Sequence, residues 1–319
     1  MPGPRRRPLV PTLVAAPAAS PRLVTRLATL LLAGLAGCSA APAPSRPADE
    51  RLAAIEAQVT AGELGPALQE LDDWPRDEVP PRLLDRRDLA QARALFAADR
   101  AFEAFEVLRD LFAERPRSEL RAAAVELQWQ IGKYLIGTGR SFWFFWSDRR
   151  AGRTVLEHLV ANHPDSTELA DALRLLGDLA FEDRDFTLAQ ARFRDLLRSR
   201  PESEWTVYAR YRFAMSIVAS LQGPAYDQDR MQHAERELRE FLAGQPENPE
   251  FVAAATAALD RVVGWQAERE LRIAHFYRTV DNRPGYRLHL DRACDERFAG
   301  TPAGQQARAE REQAAEAGR

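Results

Sequence analysis

Residues 173–201 read LRLLGDLAFEDRDFTLAQARFRDLLRSRP, and two helices are written into that line. Leu173, Leu176, Gly177 and Ala180 recur at the three- and four-residue spacing of one helix face. A polar stretch intervenes, and then Ala189, Phe193 and Leu196 repeat the pattern. Pro201 closes the second run, because proline has no N–H to donate and its ring clashes with the preceding turn. Ser203 then offers a hydroxyl suited to capping a further helix.

Outward from this stretch the same grammar recurs. A small residue is followed by apolar residues at +4 and +7 and by proline at +12. The copies are Ala104, Leu108, Leu111, Pro116; Gly152, Leu156, Leu159, Pro164; and Ala234, Leu238, Phe241, Pro246. Leu290, Cys294, Arg297, Pro302 is a degraded copy, and Ala67, Leu71, Trp74 a partial one. Ser118, Ser166, Ser203 and Asn248 stand two residues past the prolines, where helix caps are expected. The 173–201 copy matches the tetratricopeptide repeat along its length. The fold expected is an all-α tetratricopeptide-repeat solenoid of five or six helix pairs over residues 50–302, with no strand. Residues 303–319 are expected to be a helical or disordered tail.

The N-terminus reads as an export signal. Arg5, Arg6 and Arg7 open a basic region, and the apolar run Leu27–Ala36 is too short for a permanent membrane helix, which needs about 20 residues. Leu35-Ala36-Gly37-Cys38 resembles the bacterial lipobox. That resemblance implies cleavage after residue 37 and fatty acylation (palmitate among the acyl groups) of Cys38. More than one acyl chain gives stable anchoring. Residues 38–49, rich in Ala and Pro, read as a flexible tether. Ser39 after the cysteine favours the outer membrane.

Composition excludes several classes. A net charge of −3 gives no electrostatic case for nucleic acid. Two cysteines, one of them Cys38, leave no disulfide framework. His158 and His163, five apart, share no helix face and lack a HExxH context, so no metal is expected. His275 reads as a repeat-surface residue, and Cys294 as a small core residue. No nucleophile elbow, Walker or dinucleotide motif is present, so neither an enzyme nor a cofactor is expected.

Three stretches resemble the outer-membrane assembly lipoprotein BamD family. They are Asn162–Ser166 closing at Arg200–Ser203; Tyr226-Asp227 leading into Ala234–Leu242; and Ala267–Tyr277 followed by Asp291–Ala293. The resemblance runs from about residue 156 to 307. It implies an outer-membrane lipoprotein facing the periplasm that helps fold and insert β-barrel proteins. Its implied partners are a BamA-like assembly subunit, met by the C-terminal repeats, and unfolded outer membrane proteins, met by the N-terminal ones. Departures are the N-terminal third, the insertion after Lys133, and Arg297 where a core residue belongs. Another role open to such a lipoprotein is an adaptor for peptidoglycan or polysaccharide machinery.

Two groups are candidate partner contacts. The insertion near residues 137–150 holds Phe142, Trp143, Phe145 and Trp146; it forms either a hydrophobic plug over the third helix pair or a contact surface, since aromatics dominate hot spots and membrane-interface belts. Arg174, Asp178, Arg210 and Arg212 are read as solvent-facing residues of first helices, which line the concave face of such repeats.

Overall fold

The computed structural model describes residues 47–138, 141–142, 146–225 and 227–317. Among them the helices run α1 (Ala48–Ala61), α2 (Leu64–Asp72), α3 (Leu84–Ala97), α4 (Ala101–Glu114), α5 (Arg121–Thr138) and α6 (Asp148–Asn162). They continue with α7 (Leu169–Glu182), α8 (Phe186–Ser199), α9 (Thr206–Ser220), α10 (Gln228–Ala243), α11 (Pro249–Thr279), α12 (Arg283–Ala293) and α13 (Pro302–Ala317). Successive helices pair as hairpins, and each hairpin packs on the next, which is the all-α tetratricopeptide-type solenoid that the repeat predicts.

The repeat pattern is the deepest stripe of each second helix. Ala104, Leu108 and Leu111 of α4, Val155, Leu156 and Leu159 of α6, and Ala189, Phe193 and Leu196 of α8 are wholly buried. Two main cores result. One joins α3 through α6, and the other joins α8 through the first half of α11. Helix α7 serves both: Ala172, Leu176 and Leu179 enter the first core, while Leu169, Leu173 and Ala180 enter the second. Its two apolar faces are what the dense Leu/Ala run of residues 169–180 encodes.

Close approach inside the hairpins depends on glycine. A Cβ on Gly177 would stand 2.7 Å from the Phe193 ring, and one on Gly152 would stand 3.0 Å from the Gly132 carbonyl oxygen. The turns within hairpins α3/α4, α7/α8 and α11/α12 place Asp99, Arg184 and Asp281 at positive φ, where glycine is the easier residue.

The structure differs from the sequence reading in four places. Residues Ser141–Phe142 (β1) and Trp146–Ser147 (β2) form a two-residue antiparallel ladder where no strand was expected. The backbone groups of these four residues pair between strands instead of along a helix. Ser118 and Ser203 do not cap α5 and α9; their hydroxyls accept from Leu120 N and Trp205 N inside three-residue turns that precede the helices. Only Asn248 caps as expected, accepting from Glu250 N and Phe251 N. Finally, Arg297 lies in a short 3-10 turn and Phe298 fills the core place expected of it, while Pro302 begins α13 instead of ending a helix.

Candidate partner-binding face

The first helices α7, α9 and α11 carry a joined polar and aromatic network that touches solvent. On α7, Arg174 and Asp178 are one turn apart and pair directly, Nη1 to Oδ2, at 3.0 Å. Trp205 at the N-terminus of α9, then Tyr208 and Arg212 within it, recur at three- and four-residue spacing, so they project from one side toward α7. Tyr208 Oη donates to Asp178 Oδ1 at 2.6 Å, and Arg212 Nε donates to the same oxygen at 3.0 Å. Trp205 Nε1 donates to Asp171 Oδ1 at 3.1 Å.

Ring faces complete the network. The Arg174 guanidinium lies 4.4 Å from the Trp205 ring centroid, and that of Arg212 lies 4.0 Å from Phe181. Tyr211 stacks on Phe251 of α11 at 4.4 Å. Burial, reinforced by the bond to the Asp178 carboxylate, pushes the Tyr208 phenol well above its ordinary range. The phenol therefore stays a hydrogen-bond donor at every physiological pH.

Arg174, Asp178 and Arg212 are thus not open solvent-facing charges. Asp178 is held by three donors, and each of the three side chains is less than one-quarter exposed. Arg210 does not join them: it is exposed and borders a different cleft with Leu197, Phe213, Glu237 and Glu240. Two helical positions place a residue about 200° around the axis, so Arg210 and Arg212 cannot share a face. The sequence reading missed Asp171, Trp205, Tyr208, Tyr211 and Phe251. The spacing Trp205, Tyr208, Tyr211 on one helix was the available signal.

Charge on this face cancels, with Arg174 and Arg212 set against Asp171 and Asp178. Aromatic edges, stacked guanidinium planes and half-buried phenols remain. Such groups recognise polypeptide by contact and orientation more than by net charge.

His158 and His163 come together around Phe112, with ring centroids 5.8 Å apart. Among the described residues no group of three or more His, Cys, Asp or Glu side chains is arranged to hold a metal. His275 meets Glu310 of α13 at 3.0 Å. Cys294 is buried, which raises its thiol pKa. No described helix is long and apolar enough to cross a membrane. Cys38, Trp143 and Phe145, and the side chains of Phe142 and Trp146, lie outside the described residues, as does Tyr226.

Residues 147–283 match the family model described as YfiO, outer membrane lipoprotein. Among solved structures, the chain is similar to a tetratricopeptide repeat protein from Parabacteroides merdae, with 14% identity, 77% of this chain and 91% of that chain covered, and a TM-score of 0.37. It is also similar to pilF of Pseudomonas aeruginosa, with 13% identity, 82% and 97% covered, and a TM-score of 0.29. No curated protein matches the chain.

Proposed function

We propose that this chain is a lipid-anchored scaffold at the outer membrane, facing the periplasm, which binds protein partners in the assembly of β-barrel outer membrane proteins. The observation that carries this reading is the match of residues 147–283 to the outer membrane lipoprotein family model. The matched span contains α7, α9 and α11, which hold the Asp178 network. Leu35-Ala36-Gly37-Cys38 supplies the anchor in the same reading, with Cys38 as the acylated residue.

Mechanistically, the lipid holds the repeats at the membrane and the first-helix face receives a partner segment. Asp178 fixes Arg174 and Arg212 before the partner arrives, so little side-chain freedom is lost on binding. Trp205, Tyr208, Tyr211 and Phe251 offer half-buried rings for apolar side chains of that segment. The aromatics of the insertion, Phe142, Trp143, Phe145 and Trp146, form a second contact in this proposal. No catalytic group or cofactor is required.

The test is co-purification after mild detergent extraction. Recovery of a β-barrel assembly subunit with the wild-type chain is the expected result. Trp205→Ala with Arg212→Ala should cut that recovery about tenfold, a loss of about 1.4 kcal/mol, without changing the helical circular dichroism. Cys38→Ala should release the chain from the membrane fraction. Recovery of peptidoglycan or polysaccharide machinery in place of the assembly subunit would overturn the reading.

A further inference from the structure

The residue before three of the repeat prolines, Pro116, Pro164 and Pro201, closes the open end of its own hairpin, and the chemistry differs from one hairpin to the next. In α3/α4, Arg115 reaches Asp85 at 2.9 Å and Asp88 at 3.4 Å, both near the start of α3. In α7/α8, Arg200 donates to the carbonyls of Pro164 and Ser166, in the turn that leads into α7. In α5/α6 the residue is His163, and the roles reverse. Arg121, at the start of α5, donates through Nη2 to His163 Nδ1 at 2.7 Å and to the Asn162 carbonyl at 2.9 Å.

That arrangement leaves the imidazole no room for a second proton. Nδ1 is occupied as an acceptor, so the ring's own hydrogen sits on Nε2. Nε2 is buried and meets no acceptor. Phe112 of α4 covers the ring at 4.3 Å. The charged and titratable groups around it are Arg121 from α5 and His158 from α6, and both disfavour a positive ring. Arg109 of α4 acts the same way on His158. Glu119 of the turn before α5, Glu126 of α5, Asp165 and Glu168 line a cleft beside His163, yet none bonds to it. From α8, Arg200 grips the neighbouring carbonyls and brings no negative charge.

We propose that His163 is an acid-sensitive clasp, in which a second proton on the ring displaces Arg121 and frees the end of hairpin α5/α6 where the two main cores meet at α7. The direction follows from linkage. Burial, Arg121 and His158 together hold the folded His163 pKa at about 4, below the ordinary 6.5. The closed clasp is therefore fully favoured above pH 6.5 and loses that advantage as pH falls toward 4. If opening restores the ordinary value, the open-to-closed ratio rises about thirty-fold between about pH 7.5 and about pH 5. The α3/α4 clasp does not share this behaviour: burial raises Asp88, so acid favours its folded form.

Amide hydrogen exchange on the full chain in detergent, corrected for intrinsic rates, tests the proposal. At the lower pH, residues 155–172 should open about thirty-fold more often, while residues 101–114 and 186–199 open no more often than before. His163→Gln keeps an acceptor for Arg121 without titrating, and should abolish the difference. Equal acid loosening in the variant, or no loosening in the wild type, would overturn the clasp. Should the variant misfold, selective 15N-histidine NMR of the wild type decides. Nδ1 remaining unprotonated to about pH 5 supports the proposal, and titration of His163 near 6.5 defeats it.

Discussion

Hairpins α5/α6 and α7/α8 are written in one grammar and locked in different ways. Both place a glycine of the first helix, Gly132 or Gly177, against a large residue of the second, Leu156 or Phe193. Both end at a proline. Yet α7/α8 reverses through a short turn with Arg184 at positive φ, whereas α5 ends at Thr138 and α6 begins only at Asp148, with β1 and β2 between them. Hairpin α7/α8 is closed by an arginine on carbonyls, and α5/α6 by a neutral histidine under an arginine. The repeated positions determine that a hairpin forms. The residues between repeats determine what it responds to.

Substitutions that break the shared part should have the largest effect. Phe193 is wholly buried and stands between α7 and α8, so Phe193→Ala should cost about 3–5 kcal/mol, read as a fall in the urea midpoint. Gly177→Ala and Gly152→Ala compare the two hairpins directly. Each should cost about 1–3 kcal/mol by overpacking. Gly152→Ala should be the worse, because its new Cβ meets backbone at 3.0 Å as well as the Ile136 side chain at 2.7 Å. A Gly177→Ala protein as stable as wild type would show that the Phe193 ring yields more easily than its burial implies.

Smaller changes sharpen the contrast. Tyr208→Phe removes one donor from Asp178 while Arg174 and Arg212 remain, and should cost about 1 kcal/mol in thermal or urea unfolding. Arg184→Gly relieves a left-handed residue in the α7/α8 turn and should be neutral to stabilising by up to about 1 kcal/mol. A loss of stability there would mean that the Arg184 side chain contributes more than its backbone conformation costs.

Much of this molecule was legible before any coordinates. Leu108, Leu156, Phe193 and Leu238 could be placed in the core by spacing alone, because helical periodicity is local information. Pro116, Pro164, Pro201 and Pro246 located helix ends for the same reason, while Pro302 did not. The serine caps failed because Ser118 and Ser203 lie in two consecutive tight turns, and a hydroxyl at the right offset does not reveal where the first helical turn starts. The binding face was half legible. Arg174 and Asp178 are neighbours on one helix, but their meeting with Tyr208, Arg212 and Trp205 depends on how α9 lies against α7.

The sequence by itself determined that the chain forms paired helices, where the second helices before Pro116, Pro164, Pro201 and Pro246 end, and which stripe of each is apolar. Those properties depend on residues within a dozen positions of one another. Only the tertiary structure decided that Asp178 gathers three donors, that Arg210 faces away from Arg212's partners, and that His163 lies beneath Arg121. Each of these depends on contacts 30 or more residues apart along the chain, or on which side of a helix a neighbour occupies. Periodicity shows that a helix has an apolar side, but packing chooses what covers its polar one.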